Sequence, residues 1–122
     1  MRKIIHVDNS AFFRKFMKSF LAREGFEAES FDSAQDANMA IAGGDFDMVI
    51  VGLTFVDAEG EKFLGKIRQS YDGPIVVISS SVDNREEEIM SMGVKDAISK
   101  SGPWQDRLRR HLATLKPAPR RA

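Results

Sequence analysis

The side chains able to do chemistry in this chain sit in short polar positions that each follow an apolar run. Asp8, Asn9 and Ser10 come after Ile4 to Val7, Gly52 after Met48 to Val51, Ser79 to Ser81 after Ile75 to Ile78, and Lys100 after Asp96 to Ser99. The groups on offer are one carboxylate, one carboxamide, several hydroxyls and one ammonium. Asp8 and Ser10 are of the types that cap a helix, and Asp8 is also the obvious anion for Lys100, which needs one if it turns inward. The strand ends are expected to be open to solvent, so the pair is expected to be worth under about 1 kcal/mol. His6 stands inside an apolar run and reads as a core or edge residue, not a ligand. Cysteine is absent, so neither a disulfide nor a thiolate metal site is available.

The elements that must position these groups follow from periodicity. Lys3 to Val7, Met48 to Val51 and Ile75 to Ile78 are continuous apolar runs, the mark of strands covered on both faces. Phe26 to Phe31 alternates more loosely, as a strand near a sheet edge does, and Asp96 to Ser99 is a brief last strand. Between them lie helical patterns. The first carries Phe12, Phe13, Phe16, Met17, Phe20 and Leu21, and Gly25 stops it; these phenylalanines are expected to serve the core and an adjoining loop. The second, capped by Asp32 or Ser33, carries Ala37 and Ile41. The third carries Phe63, Leu64 and Ile67. A short fourth, capped by Asp83 or Asn84, ends at Gly93, and Pro103 opens a fifth with Trp104, Leu108 and Leu112 on one face. Five strands alternating with five helices predict a parallel sheet with helices on both sides, whose ligands bind at the carboxyl ends of the strands.

The bulk properties suit one domain. The chain has 122 residues, 43% hydrophobic and 30% charged, enough to bury a core without staples. Residues 1–115 are expected to form that domain, and the proline-rich basic stretch 116–122 a frayed end or the start of a linker. No apolar stretch approaches the ~20 residues needed to cross a bilayer, and the run after Met1 is too short for a signal peptide. Eighteen basic and 18 acidic residues give zero net charge, so no global field draws in nucleic acid or anionic lipid. The basic last helix and Glu86 to Glu88 both read as solvated faces.

Taken together, the polar positions resemble those of the receiver domain of two-component response regulators. Ile5 to Ser10 is similar to its opening paired-acid motif, and Asp47 to Gly52 to its third strand, which normally ends in a phosphate-accepting aspartate. Phe55 to Gly60 resembles the loop that follows, Pro74 to Ser80 the strand ending in the switch hydroxyl, and Gly93 to Lys100 the segment ending in its lysine. The resemblance covers about residues 2 to 115. It implies a flavodoxin-like doubly wound sheet of order 2-1-3-4-5, and a pocket at Asp8, Asn9, Gly52, Ser79 and Lys100. In the family, carboxylates there hold magnesium through hard oxygen ligands, and the metal and lysine neutralise the transferred phosphoryl group.

This chain departs from that pattern in ways that matter. Asn9 replaces one acid, Gly52 has no side chain to attack phosphorus, Ala97 stands for the switch aromatic, and Ser101 for the usual proline after the lysine. The resemblance therefore implies a degenerate receiver with no catalytic residue. Magnesium is expected to bind weakly or not at all, Asp8 being the one weak candidate ligand, and Ser79 keeps at most a vestigial sensor position. Asp57, in the following loop, is the nearest surrogate acceptor. Expected partners are a histidine kinase, an output domain or a second copy, in a bacterial cytoplasm, without membrane or direct nucleic-acid contact. The family's usual contact face puts Ala97, Trp104 and Leu108 forward, with Trp104 as anchor.

Overall fold

In the computed structural model, residues 2–52 and 57–115 are described, with only the helical backbone given for 57–61. The chain alternates strictly: β1 (Arg2–Val7), α1 (Ala11–Arg23), β2 (Phe26–Phe31), α2 (Ala34–Ala42), β3 (Met48–Val51), α3 (Asp57–Ser70), β4 (Ile75–Ser79), α4 (Glu86–Met90), β5 (Asp96–Ser99) and α5 (Trp104–Thr114). All strand pairs are parallel and the sheet runs β2-β1-β3-β4-β5, the flavodoxin-like order expected.

Side-chain alternation divides the buried strands between two apolar layers. Ile5, Val7, Val49, Val51, Ile75 and Val77 face the side packed by α2, α3 and α4, through Ile41, Phe63, Ile67 and Ile89. Ile4, Met48, Ile50, Val76 and Ile78 face the other side, against Phe13, Met17, Phe20, Trp104 and Leu108 of α1 and α5. Every residue of β3 and β4 is buried, whereas Glu27 of β2 points to solvent, as befits an edge strand.

Local chemistry sets the helix ends. Ser10 caps α1, its hydroxyl accepting the Phe13 amide at 3.2 Å, and Ser33 does the same for α2 through the Asp36 amide. Gly25 and Gly93 follow α1 and α4 at φ 93° and 89°, a left-handed turn that a side chain disfavours. Two expectations need correcting. Neither Asp83 nor Asn84 caps α4: the helix begins only at Glu86, flanked by Arg85, and Asn84 itself is left-handed at φ 69°. Pro103 precedes α5 instead of opening it, because its ψ of 65° lies outside the helical range. Among the described residues no helix is long and apolar enough to cross a membrane.

Candidate functional site

The carboxyl ends of β1, β3, β4 and β5 bring Asp8, Gly52, Ser79 and Lys100 to one place. Asp8 follows β1 directly and is fully buried. Its amide donates to the Phe31 carbonyl at 3.0 Å, and one carboxylate oxygen, Oδ1, accepts the Ser10 amide at 2.9 Å. Asp8 thus shapes the turn into α1, while Ser10 makes the cap. Arg14, one turn into α1, donates to the Asp8 main-chain carbonyl at 2.6 Å.

The second carboxylate oxygen, Oδ2, lies 2.9 Å from Lys100 Nζ, as expected from the residue types. The contact is a charge contact, since no aligned hydrogen bond reaches Oδ2. The pocket is not open in the way expected, however. Asp8 has no exposure and the Lys100 side chain only 17%, so removing either partner strands a buried charge, at a cost of about 3–5 kcal/mol and not the surface figure. Lys100 is held from a second side by the ring of Phe13, whose centroid is 4.2 Å from Nζ.

Gly52 matters here through space. It is not among the glycines with positive φ; its amide donates to the Val7 carbonyl at 2.9 Å in a regular continuation of β3. A Cβ built on it would stand 2.6 Å from Asp8 Oδ2 and 3.1 Å from Asp8 Cγ. The Asp8 carboxylate occupies the volume that a side chain at position 52 would enter.

Ser79 ends β4, fully buried, and its hydroxyl accepts the Ser81 amide at 3.0 Å. The Lys100 amide donates to the Ser79 carbonyl at 3.1 Å, which fixes the base of the lysine to β4. Asn9 is exposed beside the pocket, so it is not part of the buried cluster. Ser101 hydrogen-bonds back to Ser99, hydroxyl to hydroxyl at 2.8 Å, and the described residues contain no cis peptide. Asp57 begins α3, but its side chain lies outside the described residues, as do the loop 53–56 and the stretch 116–122.

His6 is the group the sequence reading left out of the site. It is fully buried on the same side of β1 as Asp8, its Nε2 4.0 Å from Asp8 Oδ2, and neither ring nitrogen has a hydrogen-bond partner. Burial, only partly offset by Asp8 and reinforced by Lys100 and Arg14, lowers its pKa from 6.5 to about 4, so it is neutral near pH 7. A histidine in an otherwise apolar strand was the available signal.

The expected contact face is not a surface. Ala97, Trp104 and Leu108 are all buried, Trp104 at 4% exposure, because Phe13, Phe16 and Phe20 pack edge-on around the indole at 5.2 to 5.8 Å. Among the described residues the exposed large aromatics are instead Phe12 and Phe16 of α1, which were expected to be covered.

The donor set does not match a magnesium site. Among the described residues, the one buried carboxylate at the strand ends is already in contact with an ammonium, position 52 offers no side-chain oxygen, and no group of three or more His, Asp or Glu residues gathers.

Comparison with known proteins agrees with this fold. The family profile described as response regulator receiver domain matches residues 4–113. The KDP operon transcriptional regulatory protein KdpE of Escherichia coli is 27% identical over 127 residues, covering 98% of this chain and 56% of that protein. The chain spans about half the length of the curated relatives it matches. Among solved structures, response regulator protein TrrA of Thermotoga maritima in complex with Mg(2+)-BeF superposes with a TM-score of 0.82 at 23% identity, covering 94% of this chain and 99% of that one. The structure of histidine kinase ThkA in complex with TrrA matches at 0.81 and 24%, covering 96% and 100%.

Proposed function

Because the chain belongs to the response regulator receiver family, we propose that it is a degenerate receiver, one that signals through protein contact without accepting a phosphoryl group. Members of this family are signalling modules, and residues 1–115 act here as one such module with no catalytic residue of their own. The observation that carries the reading is the Asp8 carboxylate lying against Gly52 and tied to Lys100. The space of an acceptor side chain is taken, and the cation that would meet a phosphoryl group already has its anion. Magnesium is not a cofactor of this pocket. The TrrA–ThkA complex supports a histidine kinase as one partner class; in the function proposed here that kinase is bound without phosphotransfer. The longer curated relatives, named as transcriptional regulators, support an output segment joined through 116–122 as another.

The test is an amide NMR titration with magnesium and beryllofluoride, the pair present in the TrrA structure. The expected result is no saturable shift at Asp8, Asn9, Gly52, Ser79 or Lys100. A saturable shift at those amides would overturn the reading.

A further inference from the structure

The zero net charge of the chain conceals a separation between its two helical layers. In α1, Arg14, Lys15, Lys18 and Arg23 are accompanied by no acid. Its buried side carries Phe13, Met17 and Phe20, and its outer side leaves Phe12 78% and Phe16 40% exposed. The two rings sit one turn apart with centroids 6.1 Å from each other, and Phe16 rests edge-on against buried Trp104, so the patch is held in place. On the opposite side of the sheet, α4 buries Ile89 and turns Glu86, Glu87 and Met90 outward, the methionine 42% exposed. Three and four residues apart, these share one helix face. Of the four exposed large apolar side chains among the described residues, three belong to these two faces. Among the described residues, Lys15, Lys18, Glu86 and Glu87 take part in no ion pair, while Glu88 is engaged by Arg85.

We infer that the chain associates head to tail with a second copy of itself, the basic phenylalanine face of α1 docking on the acidic methionine face of α4. Each face supplies what the other lacks: apolar side chains at the centre and unpaired charge of opposite sign beside them. A polyanion or anionic bilayer would suit α1 alone, but zero net charge gives no long-range attraction to either, and it removes the repulsion that keeps like copies apart. The two faces lie on opposite sides of the sheet, so one molecule cannot satisfy itself. The contact joins different patches, so it builds open chains, or rings where the rotation closes, and not an isologous pair. Both patches are small, so the association is weak and concentration-dependent. The inference rests on the contact reading above but not on the pocket, so a phosphate adduct and a failure to associate are separate results.

Sedimentation velocity tests it on the full chain from about 10 µM to about 1 mM. The wild type is expected to gain mass with concentration and to lose that gain in high salt. Phe12→Glu alone, and Glu86→Lys with Glu87→Lys, should each remain monomeric, yet an equimolar mixture should form a discrete 1:1 dimer and nothing longer. Lys15→Glu with Lys18→Glu, mixed with the α4 reversal, should also fail to pair with its own kind but associate as a mixture, which guards against a folding defect in the phenylalanine variant. A monomeric wild type across the range, or mixtures that stay monomeric, would overturn the proposal. So would a monomeric wild type that co-sediments with anionic vesicles, which would assign the α1 face to lipid.

Discussion

At Gly52 the absence of a side chain is a packing requirement as much as a chemical loss. Adding a single methyl forces the Asp8 carboxylate off its position and away from Lys100. Gly52→Ala is expected to lose about 1–3 kcal/mol of stability in urea unfolding, and to lose much less in an Asp8→Ala background, where the volume is free. Equal losses in both backgrounds would place the cost elsewhere. His6 gives a second residue-scale expectation. Its folded pKa of about 4 lies below the unfolded 6.5, so the unfolded chain takes up a proton first as the pH falls. The stability contribution is complete above about pH 6.5 and is lost toward pH 4, a change of roughly 3 kcal/mol for a fully buried imidazole. His6→Leu should flatten that part of the stability curve; an unchanged curve would mean that other groups carry the acid sensitivity. The Asp8–Lys100 pair was legible in the sequence, because a carboxylate and an ammonium at neighbouring strand ends leave few alternatives. The collision with position 52 was not, since it depends on how far the Asp8 side chain leans across the sheet.

At the scale of elements, the strands were the most legible part, because a buried parallel strand is written as a continuous apolar run. Helix α4 was read less well. It has five residues, too few for periodicity to mark its start, and Asn84, one of the two expected caps, takes a left-handed turn two residues before the helix begins. Helix α5 starts one residue later than expected, and the residues put forward as its contact face are covered: an amphipathic pattern shows which residues share a side, not which side is covered, and the α1 phenylalanines close over Trp104. Trp104→Ala is therefore expected to cost about 3–5 kcal/mol of stability through the cavity it leaves. A small change in stability joined to a large loss of partner binding would restore the anchor role. At the start of α5's strand partner, Asp96 accepts from His111 at 2.8 Å and is met by Arg107. Burial alone would raise its pKa, but the His111 hydrogen bond, Arg107 and the Ala97 amide together hold it below the usual carboxylate value. That contribution is present above the ordinary carboxylate range and is lost as pH falls through the lower folded value. The cap of α1 offers a simpler check: Ser10→Ala should lower stability by about 1 kcal/mol without altering the sheet.

At the scale of the whole molecule, the fold gathers the strand ends and sets the Asp8 carboxylate between Gly52 and Lys100. The sheet order places β1, β3 and β5 so that Asp8, Gly52 and Lys100 converge, while the residue types leave one carboxylate and one ammonium facing each other. The outward faces of α1 and α4 are the ones proposed above to carry contact with a second copy. The claim that binds these observations is that the pocket takes no phosphoryl group. Intact-mass measurement after incubation with magnesium and a small phosphodonor tests it most directly, on the wild-type chain and under conditions that preserve an acyl phosphate. The account predicts a single species at the unmodified mass. A phosphate adduct on the wild type, at Asp57 or any other carboxylate, would contradict it.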